Sequence, residues 1–187
     1  YPEMKQYLWK MSKREENQTR ILFERGVKEG KLENITWDEV LEHNPDVTWL
    51  CNDHVFRTLI AKGMAVPSDK PRFFAELFGP RRYEVPDLYP IKQEAEIIQL
   101  IHDAGGIALV AHPHKQLHTL DALVEMGLDG LEVWHPELTP EEQDAAYRYG
   151  LAHDLYISGG SDHYGLLGGA YDENTPKDKA IRYIPPR

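Results

Sequence analysis

The sequence contains 187 residues, of which 41% are hydrophobic and 28% are charged, and it carries a net charge of −10 at pH 7. This length is enough for one domain with a well-formed hydrophobic core, whereas two domains would be small. The composition predicts a soluble globular protein without a membrane span, because no apolar stretch approaches the roughly 18 residues that a span requires. Residues 1–10 lack the apolar segment of a signal peptide.

Charge and cysteine content narrow the classes of function. The acidic balance argues against bulk nucleic-acid binding, since a surface that follows nucleic-acid phosphates must be basic. Any phosphate must therefore be neutralised locally, by metal ions or by a few arginines. The single cysteine, Cys51, cannot form an internal disulfide, which predicts a reducing, cytoplasmic location.

The sequence pattern of residues 1 to about 86 predicts several helices that are joined by turns containing Gly and Pro. The clearest signal is the capping box Thr36-Trp-Asp-Glu39, which starts a short helix. Asp53 is placed to cap the helix that follows it. We divide this half into a helical lead-in, 1–30, and a helical insertion subdomain, 31–86. The predicted helices cover about 4–23, 37–43, 54–62 and 71–78.

From residue 87 onward the pattern alternates helices with short apolar strands. Pro90 suits the first position of a helix that ends at Gly105. Thr139-Pro-Glu-Glu142 combines a capping box with a proline at the first helical position. The alternation predicts an α/β fold over 87–187 with a parallel sheet or barrel and right-handed crossovers. The predicted strands cover 107–111, 130–134, 155–158 and, late in the chain, 180–184.

Three of these strands end in side chains that can bind a metal ion. His112 follows the first, His135 the second, and the pair Asp162-His163 the third. Parallel strands align their carboxyl ends, so these side chains are expected to meet at one edge. Imidazole and carboxylate donors without thiolate suit Zn, Mn or Fe bound for hydrolysis. The alternative is structural, with Asp162 capping a turn, His163 solvated and the other two histidines hydrogen-bonded.

Other polar residues near these strands admit two interpretations each. Glu132 lies within the second strand, where it either orients a ligand or is an ordinary strand glutamate. His114 and Lys115 follow the first strand and are candidates for phosphate contacts, with a solvated loop as the alternative. His135 is also a candidate for substrate binding, with a structural role as the alternative. For Arg81-Arg82-Tyr83, a solvated loop is favoured over a nucleotide contact.

Three motifs resemble, in order and spacing, the later motifs of the PHP (polymerase and histidinol phosphatase) family. They are Gly105-Gly-Ile-Ala-Leu-Val-Ala-His-Pro113, Gly127-Leu-Asp-Gly-Leu-Glu-Val133 and Ser158-Gly-Gly-Ser-Asp-His163. The chain resembles the later two-thirds of this domain, in the branch of stand-alone phosphoesterases that carry a helical insertion. The resemblance implies a partial, distorted (β/α)7 barrel, two or three metal ions (Mn, Zn or Fe) and hydrolysis of phosphate esters. It also implies small phosphorylated substrates, such as nucleotides or short oligonucleotides.

The resemblance assigns roles to individual residues. It makes His112 the ligand of the Ala-His-Pro motif and Asp162 the late aspartate ligand. The last ligand of the family usually stands two positions after that aspartate, whereas here His163 follows immediately and Tyr164 takes the expected place. We therefore predict His112, Asp162 and His163 as metal ligands, with the last two also catalytic. His54 and Arg57 resemble the substrate-facing pair of the insertion.

The first motifs of the family do not precede Tyr1 in this sequence. We therefore expect a truncated or clipped form of an active phosphoesterase, lacking the N-terminal strands and inactive by itself. In the intact enzyme, a metal-bound hydroxide is expected to attack phosphorus. One alternative is a non-catalytic binding or regulatory module that keeps the fold. Another is an amidohydrolase-like metal hydrolase that acts on C–N bonds.

Overall fold

A computed structural model of the protein describes residues 1–79 and 84–162. The chain divides into two compact units, one comprising Pro2–Ile91 and the other beginning at Lys92. Among the described residues, no helix combines the length and the apolar character needed to cross a bilayer. The predicted loop Arg81–Tyr83, the ligand His163 and the predicted strand 180–184 lie outside the described residues.

The first unit consists of helices packed around a core rich in aromatic side chains. The capping box predicted at Thr36 is confirmed: its Oγ1 accepts the N–H of Glu39, whose carboxylate accepts the N–H of Thr36. Phe56 is fully buried and its ring packs 5.0 Å from that of Phe73. The helices are α1 (Pro2–Lys28), α2 (Trp37–His43), α3 (Asn52–Ala61) and α4 (Lys70–Phe73), which continues into a π-helical turn (Phe74–Phe78).

The predicted cap of α3 is wrong. The helix begins at Asn52 with Cys51 as its N-cap, so Asp53 lies inside the first turn. His54 explains the earlier start, because its Nδ1 accepts the backbone N–H of Cys51 at 3.1 Å. An imidazole here performs the backward bond that Glu or Gln makes in an ordinary capping box. Asp53 instead pairs with Lys70 at 2.9 Å.

The second unit contains a parallel sheet with the strand order β1-β2-β3, which confirms the predicted parallel arrangement. Its core is formed by the buried face of β2, where Leu131 and Val133 are both 0% exposed. The carboxyl ends of the three strands share one edge, as parallel strands require. In chain order the elements are α5 (Glu94–Asp103), β1 (Leu109–Val110), α6 (Leu120–Glu125), β2 (Gly130–Trp134), α7 (Pro140–Ala152) and β3 (Tyr156–Gly159).

Several boundaries in this unit differ from the prediction, and β3 is displaced by one residue from the predicted 155–158. The starts of α5 and β1 have a local explanation. Pro90 does not begin α5, whose N-cap is Gln93, because the carboxylate of Glu96 accepts the N–H of Gln93 at 3.1 Å. β1 is shorter than predicted because the N–H of Ala108 bonds the side chain of Asp129 at 2.6 Å, rather than a neighbouring strand. Local side-chain bonds therefore set both boundaries.

The fold class is α/β, as predicted. Closure of the sheet into a partial (β/α)7 barrel stays a prediction. The division into residues 1–30, 31–86 and 87–187 likewise stays a prediction.

Candidate active site

His112 follows β1 in an unusual backbone conformation. Its φ angle is +31°, in a region that non-glycine residues rarely adopt unless their surroundings hold them there. Its backbone N–H donates to Oε2 of Glu132 at 2.8 Å. The side chain is 57% exposed, and its Nδ1 lies 3.9 Å from Oε2 of Glu137, beyond hydrogen-bonding distance. The backbone is therefore held in place while the imidazole remains available to a ligand.

Glu132 connects the ends of β1 and β3. While Oε2 accepts the N–H of His112, Oε1 lies 3.0 Å from the position that a Cβ atom on Gly160 would occupy. The pairing register of β2 with β3 shifts between Glu132 and Trp134, and the N–H of Gly160 donates to the carbonyl of Trp134 at 2.9 Å. Irregularities of this kind often re-aim side chains beside active sites. One carboxylate therefore contacts the segments leading to both predicted ligands, and Gly160 leaves room for it.

Asp162 is the third residue after β3. It is exposed, its φ angle is +50°, and it makes no hydrogen bond or ion pair with any residue in the described ranges. β2 lies between β1 and β3, so the ends of the outer strands are separated by about 10 Å, twice the usual spacing. An imidazole and a carboxylate can face each other across such a gap. That Asp162 points towards His112 stays a prediction.

The chemistry of these two donors fits a divalent cation. His112 supplies an imidazole, Asp162 supplies a carboxylate, and neither side chain is hydrogen-bonded within the described ranges. Within residues 1–79 and 84–162, no group of three or more His, Cys, Asp or Glu is arranged to hold a metal ion. The described residues therefore supply two donors, and the third predicted ligand, His163, lies outside them.

His135, which follows β2, lies beside His112. The centroids of the two imidazole rings are 5.2 Å apart, but His135 is only 4% exposed. Its Nδ1 accepts the backbone N–H of Glu137 at 3.2 Å, and its carbonyl accepts a bond from the amide of Gln143 at 3.2 Å. The structure therefore brings His112 and His135 together, one exposed and one buried.

His114 and Lys115 are held by a single carboxylate, that of Glu142. Its Oε2 lies 2.8 Å from Nδ1 of His114, and its Oε1 accepts the N–H of Lys115 at 2.9 Å. Three hydrogen bonds to the carboxylate, from the N–H groups of Thr139 and Lys115 and the ring of His114, lower the pKa of Glu142 to about 2. A carboxylate beside His114 repels anions, so phosphate contacts by His114 and Lys115 stay predictions. The capping-box pattern identified Glu142 as a helix-start residue. It did not predict that the same carboxylate bonds His114 and Lys115, which lie 28 and 27 residues earlier.

Because its pKa is lowered, Glu142 is expected to make the stability of the fold sensitive to acid. A carboxylate with a lowered folded pKa contributes stability above its ordinary pKa of about 4.5, and the contribution is lost as the pH falls towards about 2. Urea unfolding of Glu142→Gln is therefore expected to show lower stability at pH 7 and a smaller loss between pH 5 and pH 2. The matched control is Glu141→Gln, one residue earlier on α7 and exposed. If the free energy of unfolding depends on pH equally in both variants, the hydrogen bonds to the Glu142 carboxylate do not stabilise the fold as described.

In the helical unit, His54 serves the start of α3. Besides accepting the N–H of Cys51, its Nδ1 lies 3.3 Å from the thiol sulfur of that residue. Burial, followed by the positive charge of Arg57, lowers the pKa of His54 below its ordinary value. His54 is thus neutral at physiological pH, and substrate binding by His54 and Arg57 stays a prediction.

Comparisons with known proteins agree with this fold. No family model matches the chain. Over 76 residues, the chain is 34% identical to a phosphoribosyl 1,2-cyclic phosphate 1,2-diphosphodiesterase of Eggerthella lenta, in an alignment that covers 39% of this chain and 29% of the relative.

Two solved structures share the fold. A protein of Bifidobacterium adolescentis, described as a candidate metal-dependent phosphoesterase, matches with a TM-score of 0.65 and 26% identity over 91% of this chain and 64% of its own. An amidohydrolase from Chromobacterium violaceum matches with a TM-score of 0.61 and 16% identity over 95% of this chain and 66% of its own, which shows a shared fold alone.

The fold places the chain among the α/β proteins, with the fold that these two structures share. The curated relative and the phosphoesterase structure support the resemblance to PHP-like proteins that the three sequence motifs predicted. The chain aligns with less than a third of that relative and with just under two thirds of the phosphoesterase chain.

Proposed function

We propose that the protein is a metal-dependent phosphoesterase that hydrolyses small, nucleotide-like phosphate esters in the cytoplasm. The observation that carries the proposal is the position of the Glu132 carboxylate. Its Oε2 accepts the backbone N–H of His112. Its Oε1 lies 3.0 Å from the position of a Cβ atom at Gly160, which is two residues before Asp162. A single side chain thus organises the two segments that carry the predicted donors.

His112 and Asp162, together with His163, would hold the divalent cation, which is Mn, Zn or Fe. Such a cation supplies an activated water and offsets the negative charge that develops on phosphate oxygens. The chain itself is acidic, so the cation also provides the local positive charge that an anionic substrate needs. Asp162 and His163 take the catalytic roles beside it.

The comparisons support the reaction class and the kind of substrate. The curated relative is named for a phosphoribosyl cyclic phosphate, which is a small phosphorylated sugar, and one structural neighbour is described as metal-dependent. We extend these properties to this protein as part of the proposal.

A non-catalytic module is the second candidate function. It is favoured by one observation: the described residues assemble fewer than three metal donors at any point. An amidohydrolase-like activity has weaker support, because the Chromobacterium violaceum structure shares the fold at only 16% identity.

Metal removal separates these candidates. The protein, produced from its complete gene, is treated with a chelator, dialysed, and assayed on a nucleotide phosphate and on a cyclic amide, before and after Mn or Zn is restored. We expect hydrolysis of the phosphate ester alone, lost on chelation and recovered with metal. Hydrolysis of the amide alone would favour the amidohydrolase, and no hydrolysis with any metal would favour the non-catalytic module.

A further inference from the structure

His135 is a buried imidazole at the edge of the sheet where the proposed site lies. It follows β2 directly, it is 4% exposed, and its ring centroid is 5.2 Å from that of His112. Its backbone is fixed by Gln143, whose side-chain amide donates to the carbonyls of both His135 and Leu138 at 3.2 Å. The orientation of this ring is therefore set by the fold rather than by solvent.

The hydrogen bond at Nδ1 determines which nitrogen carries the proton. The backbone N–H of Glu137 donates to Nδ1 of His135 at 3.2 Å. A nitrogen that accepts a hydrogen bond uses its lone pair, so the proton of the neutral ring must lie on Nε2. Metal-binding histidines show the reverse arrangement, in which one nitrogen offers its lone pair to the metal and the other donates its N–H to a nearby acceptor.

The Nε2–H group of His135 lacks an acceptor among residues 1–79 and 84–162, and Nε2 is not one of the fully buried atoms that lack a partner there. This donor is therefore open to an acceptor that a ligand supplies. The group lies beside His112, where the proposed function places a phosphate ester. Hydrogen bonds to ionised acceptors are about twice as strong as those between neutral groups, so a phosphate oxygen is a suitable partner.

We propose that His135 binds the substrate by donating its Nε2–H to a phosphate oxygen, and that it is not a metal ligand. This inference rests on the proposed phosphoesterase function. It separates the two neighbouring imidazoles by role: the exposed His112 faces the cation, while the buried His135 faces the phosphate. The backbone bond from Glu137 fixes the second role before any ligand arrives.

Two variants of the protein from its complete gene test this role. His135→Phe fills the same space without a donor, and His135→Gln keeps an N–H near the position of Nε2. In His135→Phe we expect KM for a phosphate ester and the inhibition constant of inorganic phosphate to rise about tenfold, which corresponds to about 1.4 kcal/mol. His135→Gln should recover part of this loss. Metal content, measured by elemental analysis, should equal that of the wild type in both.

His118→Gln is the matched control, because His118 is an exposed histidine in the same unit and is expected to change neither constant. Loss of metal from His135→Gln would overturn the inference, as would unchanged constants in a folded His135→Phe. Nitrogen-15 NMR of the wild-type imidazole requires no variant: a proton on Nε2 supports the inference, and a proton on Nδ1 overturns it. If the wild-type protein neither hydrolyses phosphate esters nor binds phosphate, the proposed function is overturned together with this inference. If the wild type hydrolyses phosphate esters and both His135 variants have the same KM and inhibition constant as the wild type, this inference alone is overturned.

Discussion

Replacing Asp162 by asparagine is expected to abolish phosphate-ester hydrolysis by the intact protein. Asparagine has nearly the same shape but carries no charge, so it binds a divalent cation poorly and cannot act as a base. We expect kcat/KM to fall by at least about 10³-fold, which is about 4 kcal/mol of transition-state stabilisation. The measurement is steady-state hydrolysis of a nucleotide phosphate at saturating Mn or Zn.

The backbone conformation at position 162 is expected to tolerate this substitution, so its effect should come from the lost charge. Asp162 has a φ angle of +50°, and asparagine is among the few residues that adopt this conformation readily. Asp154 offers a matched control, because it is also exposed, has a φ angle of +54°, and precedes β3 rather than following it. Asp154→Asn should therefore retain full activity. Equal activity in the two variants would remove Asp162 from the site.

Replacing His112 by asparagine is expected to strip the metal from the protein. The bond to Glu132 is made by the backbone N–H of His112, so the variant keeps it, and asparagine tolerates the φ angle of +31°. Only the imidazole is lost. Removing even an outer partner of a metal ligand typically costs about 10–100-fold in affinity or activity, and a direct ligand should cost more.

Elemental analysis after dialysis measures this effect, together with kcat/KM at increasing metal concentration. His118→Asn is the control, because His118 is exposed and lies outside the strand-end cluster. A His112→Asn protein that holds as much metal as the control would show that His112 is not a ligand.

Local sequence patterns were sufficient to predict much of the fold. β2 matches its predicted range, and both capping boxes, at Thr36 and Thr139, start helices as expected. Apolar periodicity and capping are properties of neighbouring residues, so they can be read along the chain. The parallel arrangement followed from the alternation of helices and strands.

Contacts between distant residues could not be predicted in the same way. The bond between Glu132 and the backbone of His112 spans 20 residues, and the bonds from Glu142 to His114 and Lys115 span 28 and 27. Such contacts depend on how strands and loops pack, which periodicity does not specify. The sequence therefore identified the strands that end in candidate ligands and left two roles open for Glu132, but it did not indicate which backbone groups Glu132 and Glu142 bond.

The start of α3 illustrates a smaller limit. Asp53 is a good capping residue by type, yet the helix begins earlier because His54 bonds back to Cys51. Histidine is seldom considered in that role, so the signal was present in the sequence but was assigned to the wrong residue.

The central claim is that the ends of β1 and β3, two parallel strands of one sheet, deliver an imidazole and a carboxylate to one cation. Anomalous diffraction from crystals of the intact protein grown with zinc tests this most directly. Our account predicts a zinc peak about 2.0–2.2 Å from both a ring nitrogen of His112 and a carboxylate oxygen of Asp162. A zinc-loaded, active protein in which neither side chain contacts the metal would contradict it.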